Sequence, residues 1–61
     1  MEQQKMKQIF MESAVHVVAR DGLENATTKA IAAQAGLNEA YIYKCFRGKD
    51  QLLSAAFHQD D

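Results

Sequence analysis

The chain has no proline and no tryptophan, one cysteine and only three glycines among its 61 residues. Without proline nothing forces a break in a helix, and glycine is scarce enough that each one can mark a boundary. Cys45 stands alone, so an internal disulfide and a cysteine-rich zinc site are both excluded, and a reducing cytoplasm is the expected compartment. No apolar run reaches membrane-spanning length, and the opening MEQQKMKQ lacks the basic-then-apolar layout of a secretory signal. Repeats and low-complexity stretches are missing too. What remains is an ordinary globular composition, 48% hydrophobic and 25% charged, which argues against a disordered tail. At this length the chain makes one domain at most, with a thin margin of stability.

Positive charge is also lacking overall, since the net charge is −1. Its distribution is uneven. Residues 27–49 hold Lys29, Lys44, Arg47 and Lys49 against Glu39 alone, whereas residues 50–61 hold Asp50, Asp60 and Asp61 with no Lys or Arg. For contact with a polyanion the local field matters more than the sum.

Hydrophobic periodicity predicts an all-α bundle of about four helices, near residues 5–20, 28–35, 38–46 and 49–58. In the first, Met6, Phe10, Ala14, Val17 and Val18 form one stripe flanked by Met11 and Ser13; Ile9 and Val15 lie off it as surplus apolar surface. Gly22 ends that helix and Leu23 is expected to fold back onto the bundle. A threonine of the Thr27-Thr28 pair caps the second helix, whose inward residues are Thr28, Ile31, Ala32 and Ala35. Gly36 closes it, Leu37 tucks inward, and Asn38 is the expected cap of the third. Gly48 opens the fourth, whose predicted buried stripe is Leu52, Leu53, Ala56 and Phe57. The polar end His58-Gln59-Asp60-Asp61 is expected to fray.

The stretch from Thr28 to Phe46 carries the chemistry. Two short helices joined by a tight turn need glycine where the backbone leaves the first helix and a small side chain near the crossing. Gly36 and Ala32 supply them, while Ile31, Ala35, Leu37, Ile42 and Cys45 fall at the inward spacings, which makes a helix-turn-helix of homeodomain-like type. On the third helix Ile42, Cys45 and Phe46 turn inward at ~100° per residue. Ala40 and Lys44 then point outward, with Tyr41 and Tyr43 on the shoulders. Such a face suits the major groove: Ala40 allows close approach to a thymine methyl, and Tyr41 and Lys44 can bond base edges or phosphates. Glu39 favours the positive end of the third helix, or accepts from a cytosine amino group.

The run Ala26-Thr27-Thr28-Lys29-Ala30-Ile31-Ala32, then Ala35-Gly36-Leu37-Asn38, Ile42-Tyr43-Lys44-Cys45-Phe46 and Gly48-Lys49-Asp50-Gln51-Leu52-Leu53, resembles the N-terminal domain of tetracycline-repressor-type (TetR) regulators. Phe10, Ala14 and Gly22 fit as well, so the likeness covers about residues 9–57. It implies the double-stranded-DNA-binding head of a bacterial, nucleoid-associated homodimer, usually a repressor. A small-molecule effector is expected on a larger C-terminal helical domain, which also carries most of the dimer surface and lies outside these 61 residues. By matching position, Thr27 or Thr28 would bind phosphate at the second helix, and Tyr43 and Lys49 phosphates on either side of the groove. Asn38, Glu39, Ala40, Tyr41 and Lys44 fall on the recognition segment. Lys29 and Arg47 are phosphate candidates or plain solvated surface. Departures from the family pattern stand at Ala40, Cys45 and Gly48, affecting the bases read, the packing and a helix cap respectively.

Other classes find less support. No cofactor is implied. No nucleophile–base pair, metal-ligand spacing or phosphate-cradling glycine loop is present, so an enzyme is not expected. His16 and His58 have no metal-ligand pattern around them, and Met1, Met6 and Met11 read as gap-fillers or surface. Cys45 reads as core rather than as a redox sensor. The alternative to a DNA-binding head is a small helical protein-interaction module using Ile9, Val15 and Phe57.

Overall fold

The computed structural model describes residues 2–58. Helix α1 runs Gln3–Asp21, a single 3-10 turn covers Leu23–Asn25, and then follow α2 (Thr28–Ala35), α3 (Ala40–Cys45) and α4 (Lys49–Phe57). There is no strand among the described residues. Gln59, Asp60 and Asp61, for which the sequence predicts fraying, lie outside them, as does Met1.

Helix α1 is the central element, and α2, α3 and α4 all pack against it. Each helix contributes one large side chain that is sealed from water: Phe10, Ile31, Ile42 and Leu52, with Val17 beside them. Ala14, Ala26 and Ala32 are buried with them. These methyl-sized side chains let the helices approach, and the four larger ones fill what is left between them. At roughly 1.5–3 kcal/mol for each fully buried large apolar side chain, any one of them is a sizeable share of the narrow net stability of a domain this small.

The helix boundaries follow local chemistry. Gly22 adopts φ 91° and its N–H closes α1 on the Val18 carbonyl at 2.8 Å, while Asn25 Nδ2 donates to the Asp21 carbonyl at 2.9 Å. Thr27, not Thr28, caps α2: its hydroxyl accepts from the Ala30 N–H at 3.1 Å. Gly36 then enters the left-handed region at φ 73°. Its N–H reaches the Ala33 carbonyl and that of Leu37 reaches the Ala32 carbonyl, the paired closure of a Schellman motif. This reversal aims the chain into α3.

Several expectations need correction. The third helix is shorter than 38–46, because Asn38 stays outside it and accepts from the Ala40 N–H through Oδ1 at 2.8 Å, while Phe46 is extended. Leu23 does not fold back. It is 58% exposed on its 3-10 turn, and Phe57 at the end of α4 is 47% exposed rather than part of a buried stripe. Both line an open depression with Val18 and Leu53, which no other element covers among the described residues. Cys45 is only half-buried, its Sγ 4.0 Å from the Gln3 carbonyl, so it lies at the rim of the core. The outer helices extend a little beyond expectation at α1 and end one residue early at α4.

Candidate nucleic-acid interface

The packing of α2 and α3 on α1 determines which side of α3 faces outward. Ile42 is fully buried and Phe46 nearly so, which fixes the rotation of the helix. Ala40, Tyr41, Tyr43 and Lys44 are exposed as a result, and so is Asn38 in the turn before them. No large aliphatic side chain stands on this outward surface. Lys44 Nζ sits 5.2 Å from the centre of the Tyr41 ring, a cation–π contact that steadies two long groups together.

Beside that surface lies a short polar chain that spacing alone does not reveal. Thr28 Oγ1 donates to Glu39 Oε2 at 2.5 Å and stands 3.4 Å from the Tyr43 hydroxyl. A threonine hydroxyl has one hydrogen to give. With that hydrogen on Glu39, Thr28 can only accept from Tyr43. The trio ties the first residue of α2 to both ends of the turn-and-helix that follows. Glu39 and Tyr43, four residues apart, face the same side of α3, which is the one sequence signal for this contact.

The two threonines thus differ. Thr27 uses a lone pair on the Ala30 N–H and retains its donor, whereas Thr28 has committed its donor inward. Lys29 is exposed near the start of α2 with no ion pair among the described residues. Arg47 is exposed and Lys49 half-buried; they border a shallow depression shared with Gly48, Asp50 and Gln51. There Gln51 Oε1 accepts from the Arg47 N–H at 2.6 Å, tying the residue before Gly48 to the first turn of α4. A Gln three residues after a helix start is the sequence signal for it.

The far end of α3 is braced by residues that sequence reasoning left out. Gln3 Nε2 donates to the Lys44 carbonyl at 3.1 Å, and Lys7 Nζ lies 5.8 Å over the Phe46 ring. The orphan carbonyls of a six-residue helix need such partners. Two residues forty-one positions apart in sequence therefore meet at the C-terminal end of α3.

Two short helices joined through a left-handed glycine turn, the second bearing small, aromatic and basic groups outward, form a helix-turn-helix DNA-binding domain. Residues 10–56 match the family model described as bacterial regulatory proteins, tetR family. The chain belongs to that family, as its N-terminal DNA-binding domain. It is also 38% identical over 50 residues to the HTH-type nicotine-responsive transcriptional repressor HdnoR of Paenarthrobacter nicotinovorans, across 82% of this chain. The chain spans about a quarter (26%) of that relative's length. No solved structure matches it. No described helix is long and apolar enough to cross a membrane.

Proposed function

We propose that this domain docks α3 in the major groove as the operator-binding head of a bacterial transcriptional repressor. The observation that carries the reading is the division of α3, with Ile42 and Phe46 inside and Ala40, Tyr41, Tyr43 and Lys44 outside. Asn38, Glu39, Ala40, Tyr41 and Lys44 then meet base edges, Ala40 giving the close approach and Lys44 a donor for guanine. Thr27, Tyr43, Lys29, Arg47 and Lys49 bind the phosphates that set register. Thr28 belongs with them by position, but its donor is spent on Glu39, which supports Thr27 as the hydroxyl that meets the backbone.

Repression, and its relief by a small molecule, is supported by the relative, a nicotine-responsive repressor by name. In the same reading the intact regulator is a homodimer acting on the chromosome in the bacterial cytoplasm, its heads on half-sites about one helical turn, ~34 Å, apart. Nothing in this scheme calls for catalysis. The test is a low-salt titration of duplex DNA with the chain and its Tyr43→Ala, Lys44→Ala double variant, with helical circular dichroism recorded alongside. Binding is expected to weaken while the helical signal stays. Unchanged affinity for DNA overturns the assignment.

A further inference from the structure

The Thr28–Glu39 bond gives these two residues roles that position alone does not. Glu39 stands where a helix cap is expected, yet its side chain caps nothing. Asn38 does that work through the Ala40 N–H. Glu39 is instead gripped through Oε2 by the Thr28 hydroxyl, at a distance typical of a charge-assisted O–H···O⁻ bond. Its carboxylate is half-buried, held between α2 and α3, and leaves Oε1 without a hydrogen bond from any described residue.

A fixed carboxylate oxygen at the edge of the reading surface accepts and cannot donate. It is repelled by the acceptors of guanine and by phosphate. The major-groove group that suits it is the cytosine N4 amino group; adenine offers an amino group too, but beside the N7 acceptor. Rigidity adds to the discrimination, since an unanchored glutamate would swing to solvent at small cost, and one tied by Thr28 must either find a donor or remain desolvated against the wrong base.

Resting on the proposed operator-binding reading, we propose that Glu39 selects a cytosine in each half-site and that Thr28 is the positioning residue that aims it, rather than a phosphate ligand. The same bond sets the state of Tyr43. Because Thr28 has no second hydrogen, the Tyr43 hydroxyl donates to it in the free domain across a long 3.4 Å contact. On the duplex, Tyr43 exchanges that weak bond for a phosphate oxygen without disturbing the Thr28–Glu39 pair.

The test selects bound sequences from randomised duplexes with the full chain at low salt, then measures affinities on the selected duplex and its single-base variants. The wild-type chain is expected to favour cytosine at one position per half-site by about tenfold. Glu39→Gln is expected to abolish that preference at that position alone. Thr28→Val, which keeps the shape and loses the hydroxyl, is expected to reduce the same preference, and Thr28→Ser to restore it, with helical content monitored for each. A Thr28→Val variant that loses affinity equally on every sequence marks a direct phosphate contact and overturns the proposal. So does a wild-type profile with no cytosine position that depends on Glu39. Failure of the wild-type chain to retain any duplex defeats the operator-binding reading itself, a different outcome from binding with an unaltered base profile.

Discussion

Gln3 and Lys44 are joined by a hydrogen bond from the Gln3 side-chain amide to the Lys44 backbone carbonyl, 3.1 Å long. It connects the first turn of α1 to the last turn of α3, so α3 is supported at both ends: by Thr28 at Glu39 and by Gln3 at Lys44. Removing the amide in Gln3→Ala leaves an exposed carbonyl to water and is expected to cost about 0.5 kcal/mol. Thermal unfolding should show a midpoint lower by about 2–4 °C. DNA affinity should fall by more than that loss of stability accounts for, because the proposed interface loses order at the Lys44 end of α3.

Gly36 sits at φ 73°, and a methyl group added there would meet nothing within 4 Å. Any cost of Gly36→Ala is therefore conformational and not steric. It is expected to be about 1 kcal/mol, read as a lower denaturant midpoint with unchanged slope. Ala33→Gly in the helix before it serves as a comparison, costing a similar amount by a different route.

Phe10 is fully buried where α1 meets the rest of the bundle. Phe10→Ala is expected to cost about 3–5 kcal/mol, which a domain of this size cannot spare. Circular dichroism at 25 °C should show loss of most of the helical signal, and a folded variant with a near-normal midpoint contradicts the core assignment.

Arg20 donates two hydrogen bonds to Asp21, which hold the Asp21 carboxyl below its ordinary value of 3.8 and raise the Arg20 guanidinium above its own. A carboxyl lowered in the folded state stabilises above its unfolded pKa, and that contribution is lost as pH falls through the folded value. Arg20→Gln should therefore lower the midpoint at neutral pH by a small amount, both groups being exposed. The difference from wild type should shrink as pH drops below 3.8. A gap that stays constant to strong acid rules out the pair as its source.

The exposed cations Lys29, Lys44 and Arg47, with the half-buried Lys49, give the proposed interface its counterion release. With three or four phosphate contacts per head, log affinity should fall against log salt with a slope of about −3. Lys44→Ala and Lys49→Ala address different contacts. Loss of Lys49 should reduce the slope by about one across all sequences, and loss of Lys44 should in addition relax the preference at one base.

Much of this molecule follows from its order of residues. The spacing of Phe10, Ala14 and Val17, of Ile31 and Ala32, and of Ile42 and Phe46 gives a 3.6-residue period whose apolar side must face a neighbour, so helices and their inward faces are readable in one dimension. Gly36 announces its left-handed turn because few other residues tolerate one. Periodicity says which side of a helix is apolar but not whether another element covers it. That is why Leu23 and Phe57 look internal in sequence and stand exposed beside an open depression. Likewise the bonds between Thr28 and Glu39 and between Gln3 and Lys44 depend on where separate helices are brought by packing around α1. Hydrogen bonds between side chains and groups far apart along the chain are decided by three-dimensional distance, and only the folded arrangement sets that distance.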